Sequence, residues 1–128
     1  MLAVLHDMPV RFPEMRVNLK EGLRVLASGG SPRPGGSRAV WPGLTEGVNW
    51  LDDNAPAPAS EWIGATLRDA EEARLVQRVH DAWDAVLSEC AAAGGAAASD
   101  DVHAAAPSWP TVGDAASAAL ERLEAADR

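Results

Sequence analysis

Asp69-Ala-Glu-Glu-Ala-Arg-Leu-Val-Gln-Arg-Val-His-Asp-Ala-Trp-Asp-Ala-Val-Leu-Ser-Glu-Cys90 decides the fold. Within it Leu75, Val76, Val79, Trp83, Val86, Leu87 and Cys90 recur at spacings of three and four and make one continuous apolar stripe. Arg74, Arg78, Asp81 and Ser88 fall on the opposite side. Asp69 with Glu72 three residues later has the capping-box spacing that starts a helix, and Gly94-Gly95 stops it. A helix apolar along one side must be covered by other apolar faces, which the rest of the chain has to supply.

Two such faces lie upstream. Pro13 suits the first turn of a helix, and Met15, Leu19, Leu23 and Leu26 repeat behind it at helical intervals. Arg16, Lys20 and Arg24 form a basic stripe on another side, and Ser28-Gly29-Gly30 ends the element. Pro42 opens a second, short helix to about Asp53, with Leu44, Val48 and Leu51 as its core face and Gly47 allowing close contact. Residues 29–37 and 54–60 are rich in proline and small residues and are expected as loops. Arg38–Trp41 is expected as a short strand or an extended lead-in, and Trp62–Leu67 as a second short strand or an extended packing segment.

Downstream, a short helix is expected over Asp100–Ala105. A final one starts near Ser108 and runs to about Ala126, burying Val112, Ala116, Ala119, Leu120 and Leu123. Residues 1–11 read as an extended or frayed lead. The expectation is a mainly α, compact single domain over residues 1–128. It is a bundle of four to five helices with at most a minor two-stranded β element. Its core should hold Leu19, Leu23, Val48, Val79, Trp83, Leu87, Val112 and Leu123.

Composition narrows the class of function. With 128 residues the chain buries about 68% of its unfolded surface, enough for a core without metals or disulfides. Phe12 is the single Phe and Tyr is absent, so Trp41, Trp50, Trp62, Trp83 and Trp109 are expected to supply much of the core volume, several in one cluster. One cysteine, Cys90, allows no intrachain disulfide and reads as a small core residue. No run approaches a membrane span, and the first residues do not make a signal peptide. A cytoplasmic protein is expected. Residues 1–43 hold six basic and three acidic side chains, whereas residues 44–128 hold five basic and sixteen acidic. That surface repels nucleic acid and attracts a basic protein.

The polar group that stands out is Leu44-Thr-Glu-Gly-Val-Asn-Trp-Leu-Asp-Asp53, an apolar helix tipped by two carboxylates. Asp52 and Asp53 oppose the dipole at a helix C-terminus, which hints at another contact. Two readings follow. The carboxylates end the helix and pair internally with Arg16, Arg24 or Arg38. Alternatively they form a partner-binding surface with Trp41, Asn49 and Trp50, offering arginine-directed acceptors beside an aromatic anchor. A metal-dependent hydrolase using Asp52, Asp53 and His80 is the alternative to binding, but His and Cys are too sparse for a zinc site. No nucleophile elbow, phosphate loop or dinucleotide fingerprint is present. No cofactor is implied, and the sequence points away from an enzyme.

Several short segments carry a resemblance. Phe12-Pro-Glu-Met-Arg16 opens the first helix, and Trp41 precedes the Asp-Asp segment. Ile63-Gly-Ala-Thr-Leu67 leads to an acidic helix start at Asp69–Glu72. Ser108-Trp-Pro-Thr-Val112 opens an alanine-rich last helix. Together these resemble a small family of uncharacterised actinobacterial proteins of streptomycetes and their relatives, over about residues 12–125. Those proteins usually carry a Tyr, and often a His where Asn49 stands here. The resemblance implies no established activity. Small size and acidity make the chain similar to immunity or antitoxin-type proteins.

Overall fold

The Asp69 signal does start a helix: Asp69 Oδ1 accepts the Glu72 N–H at 2.9 Å. In the computed structural model, which describes residues 10–28, 44–92, 103 and 105–128, the helices in order are α1 (Pro13–Ala27), α2 (Leu44–Asn54), α3 (Ala70–Ala92) and α4 (Trp109–Ala126). A short 3₁₀ turn, Ala59–Trp62, lies between α2 and α3. The strand expected at Arg38–Trp41, the loop 29–37 and most of 100–105 lie outside the described residues. None of the described helices is long and apolar enough to cross a membrane.

α1 is the hub. One of its sides packs on α2 and another on α4, while α3 covers α4 and the 3₁₀ turn. Leu19, Leu23 and Leu26 of α1 are fully buried. They meet Val48 and Leu51 of α2, Val76, Val79 and Val86 of α3, and Val112, Ala116, Ala119 and Leu123 of α4. Glu89 of α3 accepts the Ser108 N–H at 2.8 Å and also its hydroxyl, which fixes the start of α4 beside α3.

The α1–α2 contact has a specific cause. A Cβ on Gly22 would stand 2.9 Å from the Gly47 carbonyl oxygen and 2.9 Å from Trp50 Cβ. One on Gly47 would stand 3.1 Å from a Val25 methyl and 3.3 Å from the Gly22 carbonyl oxygen. Two glycines facing one another let the helix backbones touch. The close contact expected of Gly47 is there, and Gly22 is its counterpart.

The first correction concerns the core. Leu87 is 41% exposed and not in the core. It stands about 100° around the helix from Val86, which is fully buried, and falls on the solvent side of that face. Trp83 is half-buried against the core's edge, where its ring meets His103 edge-on at 4.9 Å between centroids. The four described indoles do not gather into a cluster: Trp109 is buried, Trp50 and Trp62 are half-buried, and leucine, valine and alanine fill the centre.

The second correction concerns Trp62–Leu67, which is a turn. The Trp62 carbonyl accepts the N–H groups of Ala65, Thr66 and Leu67 at 3.0–3.1 Å. Gly64 closes the turn at φ +91°, a conformation glycine adopts without penalty. Ile63 and Leu67 form only an isolated bridge. Arg11 and Phe12 donate to the carbonyls of Gly64 and Ala65 at 3.0 and 2.9 Å, which docks the lead into α1 on this turn. The third is the linker 54–60: α2 takes in Asn54, whose side chain donates to the Trp50 carbonyl at 2.7 Å. Residues 59 and 60 already belong to the 3₁₀ turn.

Candidate functional site

Burial of Gly47, Val48 and Leu51 turns the opposite side of α2 outward. Thr45, Glu46, Asn49, Asp52 and Asp53 are all exposed there. Trp50 is half-buried, its Cβ beside Gly22, so its base belongs to the helix crossing. Trp41 lies outside the described residues. The structure therefore brings Asn49, Asp52 and Asp53 together on one outward face.

α3 supplies what lies beneath it. His80 is buried, and its Nε2 sits 2.7 Å from the Ala55 carbonyl oxygen just past α2. A carbonyl only accepts, so Nε2 carries its hydrogen. The other ring nitrogen, Nδ1, faces Asp52 Oδ1 at 3.5 Å. Partial burial pushes the Asp52 carboxyl above its ordinary value. Asp53 and Asp84 push the same way, and His80 pulls against them. Asp53 and Asp84 make no ion pair among the described residues.

This arrangement gives the hydrolase reading no support. Among the described residues no three His, Cys, Asp or Glu side chains converge on a common point that a metal could take. The His80 Nε2 is turned to a backbone carbonyl. The internal arginine partners expected for Asp52 and Asp53 are elsewhere too. Arg16 is held by Glu72 and Asp127, Arg24 by Glu21 and Glu124, and Arg38 lies outside the described residues.

The Arg16 cluster is the polar feature that sequence reading missed. Arg16 is 3% exposed and does not belong to a solvated basic stripe. Its Nη1 donates to Glu72 Oε1 at 2.8 Å and to the Thr66 carbonyl at 2.9 Å; Nη2 donates to Glu72 Oε2 at 2.9 Å. Its Nε donates to both Asp127 oxygens at 3.0–3.1 Å. Lys20 and Arg68 also donate to Asp127, at 2.9 and 3.1 Å. The signal was present: Arg16 shares a helical stripe with Leu19, Leu23 and Leu26, and Glu72 shares one with Val76 and Val79. A cation and an anion at core positions of different helices implied each other.

Asp127 sits at the C-cap of α4, where a carboxylate opposes the helix dipole. Burial alone would raise its carboxyl. The hydrogen bonds from Arg16 and Lys20, with their charges, instead hold it at about 2. Its folded value lies below its unfolded one, so the stabilisation is present above about 3.8 and is lost as pH falls toward about 2. Melting temperature followed from pH 5 downward should therefore drop more steeply in the native protein than in Asp127→Asn. Parallel curves would show that the three cations do not favour the charged carboxylate.

The fold and its surface thus define a small all-helical protein with a carboxylate-rich outer face on α2. The chain belongs to the family described as "Domain of unknown function (DUF7945)", whose model matches residues 10–128. No curated protein and no solved structure matches it.

Proposed function

We propose that this protein is a non-enzymatic protein-binding module, and that the outer face of α2 receives a basic segment of its partner. The observation that carries this is the unbalanced charge there. Several surface acids elsewhere are matched: Glu21 and Glu124 by Arg24, Glu71 by Arg74, Asp69 by Arg122. Asp53 and Asp84 instead raise the cost of ionising Asp52, and His80 is its one counter-group among the described residues. A guanidinium from outside supplies the missing charge and makes paired, charge-assisted hydrogen bonds. Asn49 and the open part of Trp50 lie on the same helix and would give the contact its polar and apolar flank. An acidic protein of this size acting in the cytoplasm on a basic toxin or nuclease, as an immunity or antitoxin protein does, fits the reading. Long-range attraction would speed the encounter.

A poly-arginine peptide is the probe, titrated into the native protein and into a triple variant with Asp52, Asp53 and Asp84 all changed to Asn. Exposed ion pairs contribute about 0.2–1 kcal/mol each, so the triple variant should bind about tenfold more weakly, with a flatter salt dependence. Its melting temperature at pH 7 should hold or rise, because the folded state disfavours the charged form of Asp52. Unchanged peptide affinity together with lost stability would show that these carboxylates serve the fold.

A further inference from the structure

The buried imidazole under the acidic face has one nitrogen with a fixed role and one without. Nε2, 2.7 Å from the Ala55 carbonyl, must keep its hydrogen. Nδ1, 3.5 Å from Asp52 Oδ1, then meets the carboxylate in one of two ways. With a second proton on the ring, the contact is an ion pair. Without it, a lone pair points at an anion and the contact is repulsive. Among the described residues the charged groups at this spot are Asp52 from α2, in contact with the ring, and Asp53 from α2 and Asp84 from α3 itself, which act on Asp52; the loop after α2 contributes the Ala55 carbonyl. All three side chains are acids, and His80 is 5% exposed, so solvent does little to screen the pair from its inner side.

We propose that His80 is an internal competitor for the partner's guanidinium, so that the acidic face binds its basic partner with release of one proton from His80 Nδ1. This rests on the binding reading above and names how that face is regulated. When Nδ1 is protonated, Asp52 is already matched from below and an external arginine adds little. When the proton leaves to solvent, Asp52 is unmatched and the arginine takes it. Loss of that proton as pH rises therefore raises affinity for the basic partner. Conversely, a bound guanidinium stabilises the carboxylate without help from the ring and drives the proton off by linkage.

The first measurement needs no partner. Long-range ¹H–¹⁵N spectra of the imidazole report which ring nitrogen loses its proton as pH rises. Nδ1 is expected to lose it while Nε2 stays protonated; loss from Nε2, or a ring that keeps one state throughout, overturns the proposal. The second titrates the poly-arginine peptide between pH 5 and 8. The native protein should bind several-fold more tightly at the upper end, and His80→Gln, which keeps a donor for the Ala55 carbonyl, should lose that slope. Asp53→Asn should weaken binding at every pH and keep the slope. Peptide binding with no slope in the native protein sinks the proton linkage and leaves the binding face standing. Absence of any binding sinks the binding face, and with it this proposal, whatever the ring spectra show.

Discussion

Glu72→Ala should destabilise the protein by about 3–5 kcal/mol, because it leaves a buried guanidinium without its main counter-charge. The Glu72 side chain is 0% and that of Arg16 4% exposed. Both Glu72 oxygens receive Arg16, and one also accepts the Arg68 N–H at 2.7 Å ahead of α3. Asp127 remains after the substitution, but it meets only Nε and Nη2 of Arg16 and leaves Nη1 with the Thr66 carbonyl. Removing both charges is a different matter. Arg16→Met with Glu72→Leu takes away the desolvation cost along with the attraction, so the pair of changes should cost far less than Glu72→Ala alone. Urea denaturation of the two single variants and the double one gives the coupling directly. A loss below about 1 kcal/mol for Glu72→Ala would mean that water reaches Arg16 and that the cluster does not bind α1, α3 and α4 together.

That cluster also marks where sequence reading stopped. The α3 stripe was legible because Val76, Val79 and Val86 repeat at helical spacing, and the same pattern located α1 and α4 within a residue or two. Leu87 was misplaced because a stripe read from residue type is wider than the face one neighbouring helix can cover. Trp62–Leu67 was misread because β-branched and aromatic content signals an extended chain, whereas the conformation is set by one carbonyl and the positive φ of Gly64. Arg16 was misplaced because a charge on a helix is solvated far more often than buried, and its partners stand 56 and 111 residues away. The acidic face was half legible. Asp52 and Asp53 were visible as a pair, but Asp84 and the orientation of His80 depend on where the end of α2 meets α3.

Gly22→Val should cost about 3 kcal/mol, and it tests the geometry that puts Asp52 over His80. Helix propensity alone predicts the reverse sign, since glycine in a helix interior is about 1 kcal/mol worse than alanine. At Gly22 the first added atom already meets the Gly47 carbonyl oxygen and Trp50 Cβ at 2.9 Å, with the Leu51 nitrogen at 3.4 Å. Two of these are backbone atoms of α2, which cannot swing aside as the end of a side chain can. The helices must separate, and the burial of Val48 and Leu51 is lost with the separation. Gly113 is the internal control: a Cβ there comes no nearer than 3.7 Å to the Leu26 carbonyl oxygen, so Gly113→Ala should be neutral or stabilising by up to about 1 kcal/mol. Because α2 carries Asp52 and the Ala55 carbonyl follows it, moving α2 off α1 displaces both partners of the His80 ring. In Gly22→Val the imidazole ¹⁵N signals should therefore change along with stability, and in Gly113→Ala neither should fall. A Gly22→Val protein as stable as the native one would mean that α1 and α2 do not meet backbone to backbone, and the placement of the acidic face would have to be redrawn.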